Sequence, residues 1–339
     1  MKLFLDPSVF TEKRGALMGL SIIWIFMLHC GDIGVGWYDG IRKYGWVGVD
    51  VFFFLSAIGL CFSFQKRPSI KTFYCRRLLR IVPTWLVVLL GVHIIGLLCN
   101  RFLPALPFHV PHTFTQCLTW YTGLGYWIGE FVSNPENYYY EWYVPSLLVF
   151  YAAFPLLFKQ KTKILFALTV LFTILSHFLS TNHILYTWHF FYQRIPVFMF
   201  GIISFRIIKG EEMIRKLGVY GYCFMFMFGL LLLHLQGLLH IDMVLTHIIQ
   251  LMMPVSLIVL GRILSLLRLA PFFAFYGGIS LELYLIHLYR RPLFLLSMFL
   301  NNVPLCVFLS LILCTAVAFL LQKVMGIMVK KISVRFNFQ

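Results

Sequence analysis

The sequence predicts an all-α membrane protein that crosses the bilayer about ten times. Hydrophobic residues make up 60% of the 339 residues and charged residues only 12%, a composition outside the range of water-soluble domains. The apolar residues are gathered into runs that approach the roughly 20 residues needed to cross the hydrocarbon as a helix. The eight cysteines contain no C-x-x-C pair and fall mostly within those runs, so we expect neither a disulfide framework nor a metal site.

The apolar runs define the predicted spans and one long outer loop. The loop covers 100–138, because counting 114–132 as an extra span would move every later basic loop outside the cell. Charged residues precede the first run and no small-residue cleavage site follows it, which predicts a signal anchor. We expect one membrane domain over 1–339, with ten spans at about 16–32, 46–64, 78–99, 139–158, 164–180, 190–208, 217–235, 243–263, 272–290 and 303–325.

The basic residues predict the orientation of these spans. With both termini in the cytoplasm, the cytoplasmic segments hold 20 of the 28 lysines and arginines and the outer segments hold five, as the positive-inside rule requires. The same bias explains the net charge of +16. Because the basic residues are scattered between apolar runs, we expect membrane lipids and no nucleic acid as partners.

Two arginines lie close together where the third span begins. Arg76 and Arg80 are four residues apart, so on a helix they share one face, about 6 Å from each other. Two guanidinium groups at this separation suit a ligand that carries phosphates. The charge bias puts them at the cytoplasmic surface, which indicates a nucleotide or coenzyme site there.

A histidine lies late in the first span, in the outer half of the bilayer. An imidazole is the side chain best placed to remove a hydroxyl proton near neutral pH. Asp32, three residues after His29, could orient the ring and stabilise its charged form. The alternative is that His29 only donates a hydrogen bond to a neighbouring helix.

The ninth span carries three hydrogen-bonding side chains on one helical face. Ser280, Tyr284 and His287 follow an i, i+4, i+7 spacing, so they are expected to point inward together. Gly277 and Gly278 before them permit another helix to approach closely.

Five blocks of sequence, in order along the chain, carry a resemblance to a known family. They are Arg14-Gly15 leading to His29, Gly48-Val49-Asp50-Val51-Phe52-Phe53-Phe54-Leu55-Ser56, Phe73-Tyr74-Cys75-Arg76-Arg77-Leu78-Leu79-Arg80-Ile81-Val82-Pro83, Trp142-Tyr143 with Tyr151 and Pro155, and Ser280-Leu281-Glu282-Leu283-Tyr284-Leu285-Ile286-His287. Together they resemble acyltransferase family 3, and they cover essentially the whole chain.

Two positions depart from the pattern of that family. Ala57 follows Ser56 where the family usually has glycine, and Leu147-Leu148 stand where many members have an acidic residue. The second departure leaves open whether Glu141 substitutes for that carboxylate. The role of Glu282 is open as well.

The resemblance implies an O-acyltransferase, usually an O-acetyltransferase. Its donor substrate would be cytoplasmic acyl-CoA, normally acetyl-CoA, and no metal would be needed. Its acceptor would be a hydroxyl of a cell-surface polysaccharide or of a lipid-linked sugar. Such an enzyme would modify the cell envelope from the bacterial cytoplasmic membrane.

The resemblance also implies roles for individual residues. Arg14, Arg76 and Arg80 would bind the phosphates of the donor. The catalytic group would consist of His29 as the general base, Asp32 as its orienting partner, and Ser56 or Tyr284 as the hydrogen-bond donor to the oxyanion.

Two other functions fit a polytopic protein with buried polar residues. A transporter or flippase for lipid-linked sugars is the main alternative, although such transporters often show internal repeats and this sequence has no visible one. The other is a catalytically silent partner in a glycan-assembly complex.

Overall fold

The computed structural model describes residues 5–102, 110–131, 142–239, 245–287, 300 and 302–335, and every regular element in these ranges is helical. In chain order the helices are α1 (Val9–Glu12), α2 (Arg14–Cys30), α3 (Gly36–Arg42), α4 (Val47–Lys66), α5 (Ile70–Phe102), α6 (Phe114–Thr122), α7 (Leu124–Ile128), α8 (Tyr143–Lys159), α9 (Thr162–Thr181), α10 (His189–Tyr192), α11 (Ile195–Lys209), α12 (Glu212–Leu239), α13 (Leu245–Leu266), α14 (Ala270–Gly278), α15 (Ser280–His287) and α16 (Val303–Arg335). Single 3-10 turns lie at Gly129–Phe131 and Tyr186–Trp188.

The all-α prediction is confirmed for the described residues, and the protein is an integral membrane protein. Within the described ranges, seven helical segments are long and apolar enough to cross a bilayer: α4, α5, α9, the segment Tyr186–Lys209 that ends in α11, α12, α13 and α16. Two further predicted spans coincide with the shorter apolar helices α2 and α8, which have 17 residues each. The remaining one, the ninth, differs from the prediction.

The ninth predicted span is not one helix. Its described part is divided at Ile279 into α14 and α15. Gly277 and Gly278 have low helix propensity, and the Ser280 hydroxyl donates a hydrogen bond of 3.0 Å to the Gly277 carbonyl. These local features favour a chain break where hydropathy alone predicted a continuous helix.

The segment predicted as an outer loop contains two short helices. The helices α6 and α7 have nine and five residues and are separated at Gly123, whose φ of +71° favours glycine. A Cβ at Gly123 would lie 2.7 Å from the Pro145 side chain. Residues 103–109 and 132–141, the latter including Glu141, lie outside the described residues.

The chain folds as two compact units. The first contains residues 1–68, 155–184 and 192–280, and the second contains 69–154, 185–191 and 281–339. In the first unit α4 is the central helix and packs against α2, α11 and α13. In the most apolar 18-residue stretch of α4, 78% of the residues are buried, whereas only 11% are buried in the corresponding stretch of α9. A helix that is apolar on all sides is suited to this central place, and helices with exposed apolar faces are suited to contact with lipid.

The closest helix contact of the first unit joins α2 to α14. A Cβ at Gly19 would lie 1.6 Å from the Phe273 carbonyl oxygen, and one at Gly277 would lie 2.0 Å from the Gly15 carbonyl oxygen. Backbones can approach this closely only where side chains are missing. The expectation that Gly277 permits close approach is therefore confirmed.

Candidate functional site

In the first unit, the N-terminal end of α2 is fixed to α4 by Arg14. Its Nε donates a hydrogen bond of 3.2 Å to the Leu55 carbonyl. A Cβ at Gly59 would lie 2.9 Å from the Arg14 guanidinium carbon. The half-buried guanidinium therefore lies directly on the backbone of α4.

His29 lies at the opposite end of α2, in its last turn. The distance between its Nδ1 and the Ile25 carbonyl oxygen is 2.8 Å. A carbonyl can only accept, so Nδ1 carries the proton of this hydrogen bond. In the neutral ring the lone pair is then on Nε2, which is the nitrogen that a general base uses.

The Asp32 carboxylate forms an ion pair with Arg42. The Asp32 side chain is 73% exposed, and the hydrogen bond from Arg42 holds the pKa of its carboxyl below the usual value. Arg42 also lies 3.6 Å from Asp39 and donates to the Leu28 carbonyl at 3.5 Å. The segment after His29 is thus tied to α3 by Arg42, an arrangement that sequence spacing did not reveal.

The structure places Ser56 far from His29. A Cβ at Gly48 would lie 2.7 Å from the Ser21 carbonyl oxygen, whereas Gly59 is level with Arg14, so α2 and α4 run antiparallel. At 1.5 Å per residue, Ser56 and His29 are separated by roughly 20 Å along the helix axes. Ser56 lies at the Arg14 end of the helix pair.

In the second unit, three arginines lie in the N-terminal part of α5. The Arg77 guanidinium lies 5.8 Å from the centroid of the Phe73 ring. Arg76 is half-buried. Arg80 is the most exposed of the three, and 49% of its side chain is accessible.

Glu282 on α15 faces Arg80. The distance from Arg80 Nη1 to Glu282 Oε1 is 3.5 Å, and the Glu282 side chain is fully buried. Neither carboxylate oxygen receives a hydrogen bond from the described residues. Sequence analysis left the role of Glu282 open, and the structure gives it a place beside one of the predicted donor-site arginines.

Tyr284 packs against aromatic residues of the same unit. Its ring centroid lies 4.4 Å from that of Tyr143 and 5.3 Å from that of His287. Tyr143, Leu147 and Tyr151 follow a spacing of four on α8 and share one face. Leu147, which stands where the resemblance led us to expect an acidic residue, is buried and apolar.

A buried polar network in the first unit was missed by sequence analysis. Arg194 Nε lies 3.1 Å from Asp50 Oδ1, and both side chains are almost fully buried. Gln250 donates to the same Asp50 oxygen at 3.2 Å and to the Gln193 carbonyl at 2.9 Å. The sequence did contain a signal for this pair. Asp50 and Arg194 are opposite charges inside apolar spans, and such charges normally pair.

The family profile of the acyltransferase domain matches residues 16–323. The match covers most of the chain and includes α4, α5, α8, α15 and all of α2 except its first two residues. The chain belongs to acyltransferase family 3. No curated protein and no solved structure was found to match it.

Membership of acyltransferase family 3 establishes the general activity. The protein is a membrane acyltransferase, and its substrates are an acyl donor and an acceptor.

One departure from the family pattern has a structural explanation. A Cβ at Gly201 would lie 2.7 Å from the Ala57 Cβ, so the extra methyl group on α4 is accommodated by a glycine on α11.

Proposed function

We propose that this acyltransferase is an O-acetyltransferase, which moves an acyl group from cytoplasmic acyl-CoA to a hydroxyl of a cell-surface polysaccharide or lipid-linked sugar. The membrane is the bacterial cytoplasmic membrane. Arg76 and Arg80 bind donor phosphates, and Arg14 adds a third cation. His29 is the general base.

The reaction follows from the groups assigned. His29 Nε2 removes the proton of the acceptor hydroxyl while the hydroxyl oxygen attacks the thioester carbonyl carbon. The tetrahedral oxyanion collapses, the carbon–sulfur bond breaks, and the imidazolium returns its proton to the CoA thiolate. The products are an acyl ester and free CoA.

The oxyanion needs a hydrogen-bond donor. Of the two candidate hydroxyls, Ser56 lies roughly 20 Å from His29 along the α2–α4 pair, at 1.5 Å per residue. This separation argues against Ser56, and the proposal for Tyr284 rests on its place in the sequence block 280–287.

The observation that carries the proposal is the hydrogen bond between His29 Nδ1 and the Ile25 carbonyl. It puts the proton on Nδ1, so the neutral ring has its basic lone pair on Nε2. Combined with the family match over 16–323, this supports a base at the outer end of α2. The arginines of α5 support the assignment of a phosphate-bearing donor.

The donor assignment is tested by CoA binding to the purified protein. Arg76→Ala should raise the Kd for CoA about tenfold, because it removes a charged contact to phosphate. Lys330→Ala is the control, since Lys330 is an exposed cation near the end of α16, and it should bind CoA like the wild type. Equal affinity of all three proteins would contradict the donor site.

The same experiment discriminates between the proposed enzyme and the alternatives. A flippase for lipid-linked sugars and a catalytically silent assembly partner both predict that the purified protein has no measurable affinity for CoA. Saturable CoA binding that depends on Arg76 favours the enzyme.

A further inference from the structure

Glu282 is a buried acid that the reaction above does not use. Its side chain is 0% exposed, and its two oxygens receive no hydrogen bond within the described part of the chain. Buried carboxylates normally accept several hydrogen bonds. The cation that faces Glu282 is Arg80, at 3.5 Å.

The ion pair with Glu282 reduces the attraction of Arg80 for a negatively charged ligand. A carboxylate at this distance in a poorly polarisable environment offsets much of the positive charge of the guanidinium. The Arg80 side chain is nevertheless 49% exposed, so it is accessible to a ligand as well as to Glu282. A phosphate that approaches Arg80 is attracted by the guanidinium and repelled by the carboxylate behind it.

We propose that Glu282 is a positioning residue that weakens CoA binding at the donor site and thereby speeds the release of free CoA after each transfer. The inference rests on the proposed function, in which Arg80 binds donor phosphate. Acyl-CoA and CoA carry the same phosphates, so contacts made equally to both also retain the product. Product release limits the turnover of many enzymes.

The Glu282 carboxylate and the phosphate of a bound ligand compete for the Arg80 guanidinium. When a phosphate engages Arg80, the buried carboxylate loses part of its counter-ion. When CoA leaves, the Arg80–Glu282 pair forms again. If Glu282 only balanced the charge of Arg80 for folding, neutralising it would not tighten CoA binding.

The test is CoA affinity and CoA dissociation rate in the purified full-length protein. Glu282→Gln keeps the shape of the side chain and removes its charge, and it should lower the Kd for CoA at least about fivefold. The dissociation rate of CoA and the KM for acyl-CoA should fall with it. Glu212→Gln, which neutralises an exposed acid paired with Lys216 on α12, should change none of these values.

A double variant separates this inference from the proposed function. Arg80→Ala alone would leave a buried carboxylate without a counter-ion, so Arg80 is removed in the Glu282→Gln background. If Glu282→Gln/Arg80→Ala loses the gain, the inference is supported. If Glu282→Gln binds CoA no tighter than wild type while the double variant binds more weakly than the single one, the inference fails and the donor site stands. If the double variant binds CoA as tightly as Glu282→Gln, Arg80 is not in the donor site, and both the inference and the assignment of Arg80 fail, whereas the result for Arg76→Ala decides the donor site itself.

Discussion

The imidazole of His29 is oriented by its own helix. The acceptor of its Nδ1 proton is the carbonyl one turn earlier, at Ile25. Sequence spacing suggested a carboxylate in this place, because Asp32 follows His29 by one turn. The structure pairs Asp32 with Arg42, and we propose that Asp32 acts indirectly, by fixing the segment that follows α2.

This difference gives a prediction for Asp32→Asn. If Asp32 acts only through Arg42, the variant should lose a few-fold in transfer rate, whereas loss of a carboxylate that orients a catalytic histidine costs about 10⁴-fold in a well-studied triad. The measurement is kcat with saturating acyl-CoA. A loss of several hundred-fold or more would restore Asp32 as the direct partner of His29.

The same ion pair predicts how stability depends on pH. Because the folded pKa of Asp32 is lowered by Arg42, the pair contributes fully above the ordinary aspartate pKa of about 4. The contribution is lost as the pH falls through the lowered folded pKa. Thermal unfolding of wild type and Asp32→Asn should therefore differ at pH 7 and converge in strong acid. A difference that grows on acidification would contradict this linkage.

At the scale of elements, α2 organises the first unit. It carries Arg14 at one end and His29 at the other, and its glycines allow α14 to pack directly on its backbone. The position of the proposed general base, His29, therefore depends on a helix contact that tolerates no side chain. A substitution in the middle of α2 should therefore reduce the amount of folded protein.

Gly19→Ala tests this contact. The added Cβ would lie 1.6 Å from the Phe273 carbonyl oxygen, so α14 must move away, at a cost of about 1–3 kcal/mol or more. Gly221→Ala on α12 is the matched control, because its Cβ meets no atom within 4 Å and alanine favours a helix by about 0.5–1 kcal/mol. Thermal unfolding in detergent should show Gly19→Ala well below wild type and Gly221→Ala at or above it. Equal thermal stability of the two variants would contradict the close packing of α2 on α14.

A second fixed point of the first unit is the Asp50–Arg194 pair, which joins α4 to the residue that precedes α11. Removing one partner of such a pair typically costs about 3–5 kcal/mol, because the other charge stays buried alone. Gln250 from α13 completes the connection. These contacts thereby hold α4, α11 and α13 in fixed positions relative to one another.

At the scale of the whole molecule, hydropathy was enough to predict the fold class and most helices. Apolar runs report helix positions because every backbone group in a bilayer must be bonded within its own segment. The break at Ile279 was missed because it depends on the Ser280 hydroxyl and on glycines in close contact with α2, neither of which changes hydropathy. The count of ten spans, the cytoplasmic termini and the long outer loop stay predictions.

The candidate site was predictable only where it depends on local spacing. The i, i+4 relation placed Arg76 and Arg80 on one helix, and the family blocks marked His29. Their partners come from distant parts of the chain. Glu282 lies about 200 residues after Arg80, and periodicity carries no information about contacts at that separation.

The central claim is that His29 activates a hydroxyl for attack on an acyl-CoA thioester. It is tested most directly by mass spectrometry of surface glycans from cells that carry the wild-type protein, His29→Gln or His234→Gln, at equal levels in the membrane. His234 is an exposed histidine on α12 and serves as the control. We predict that wild type and His234→Gln add one acetyl increment per modified unit, and that His29→Gln reduces this modification about 10²–10⁴-fold. Undiminished acetylation in cells carrying His29→Gln would contradict the account.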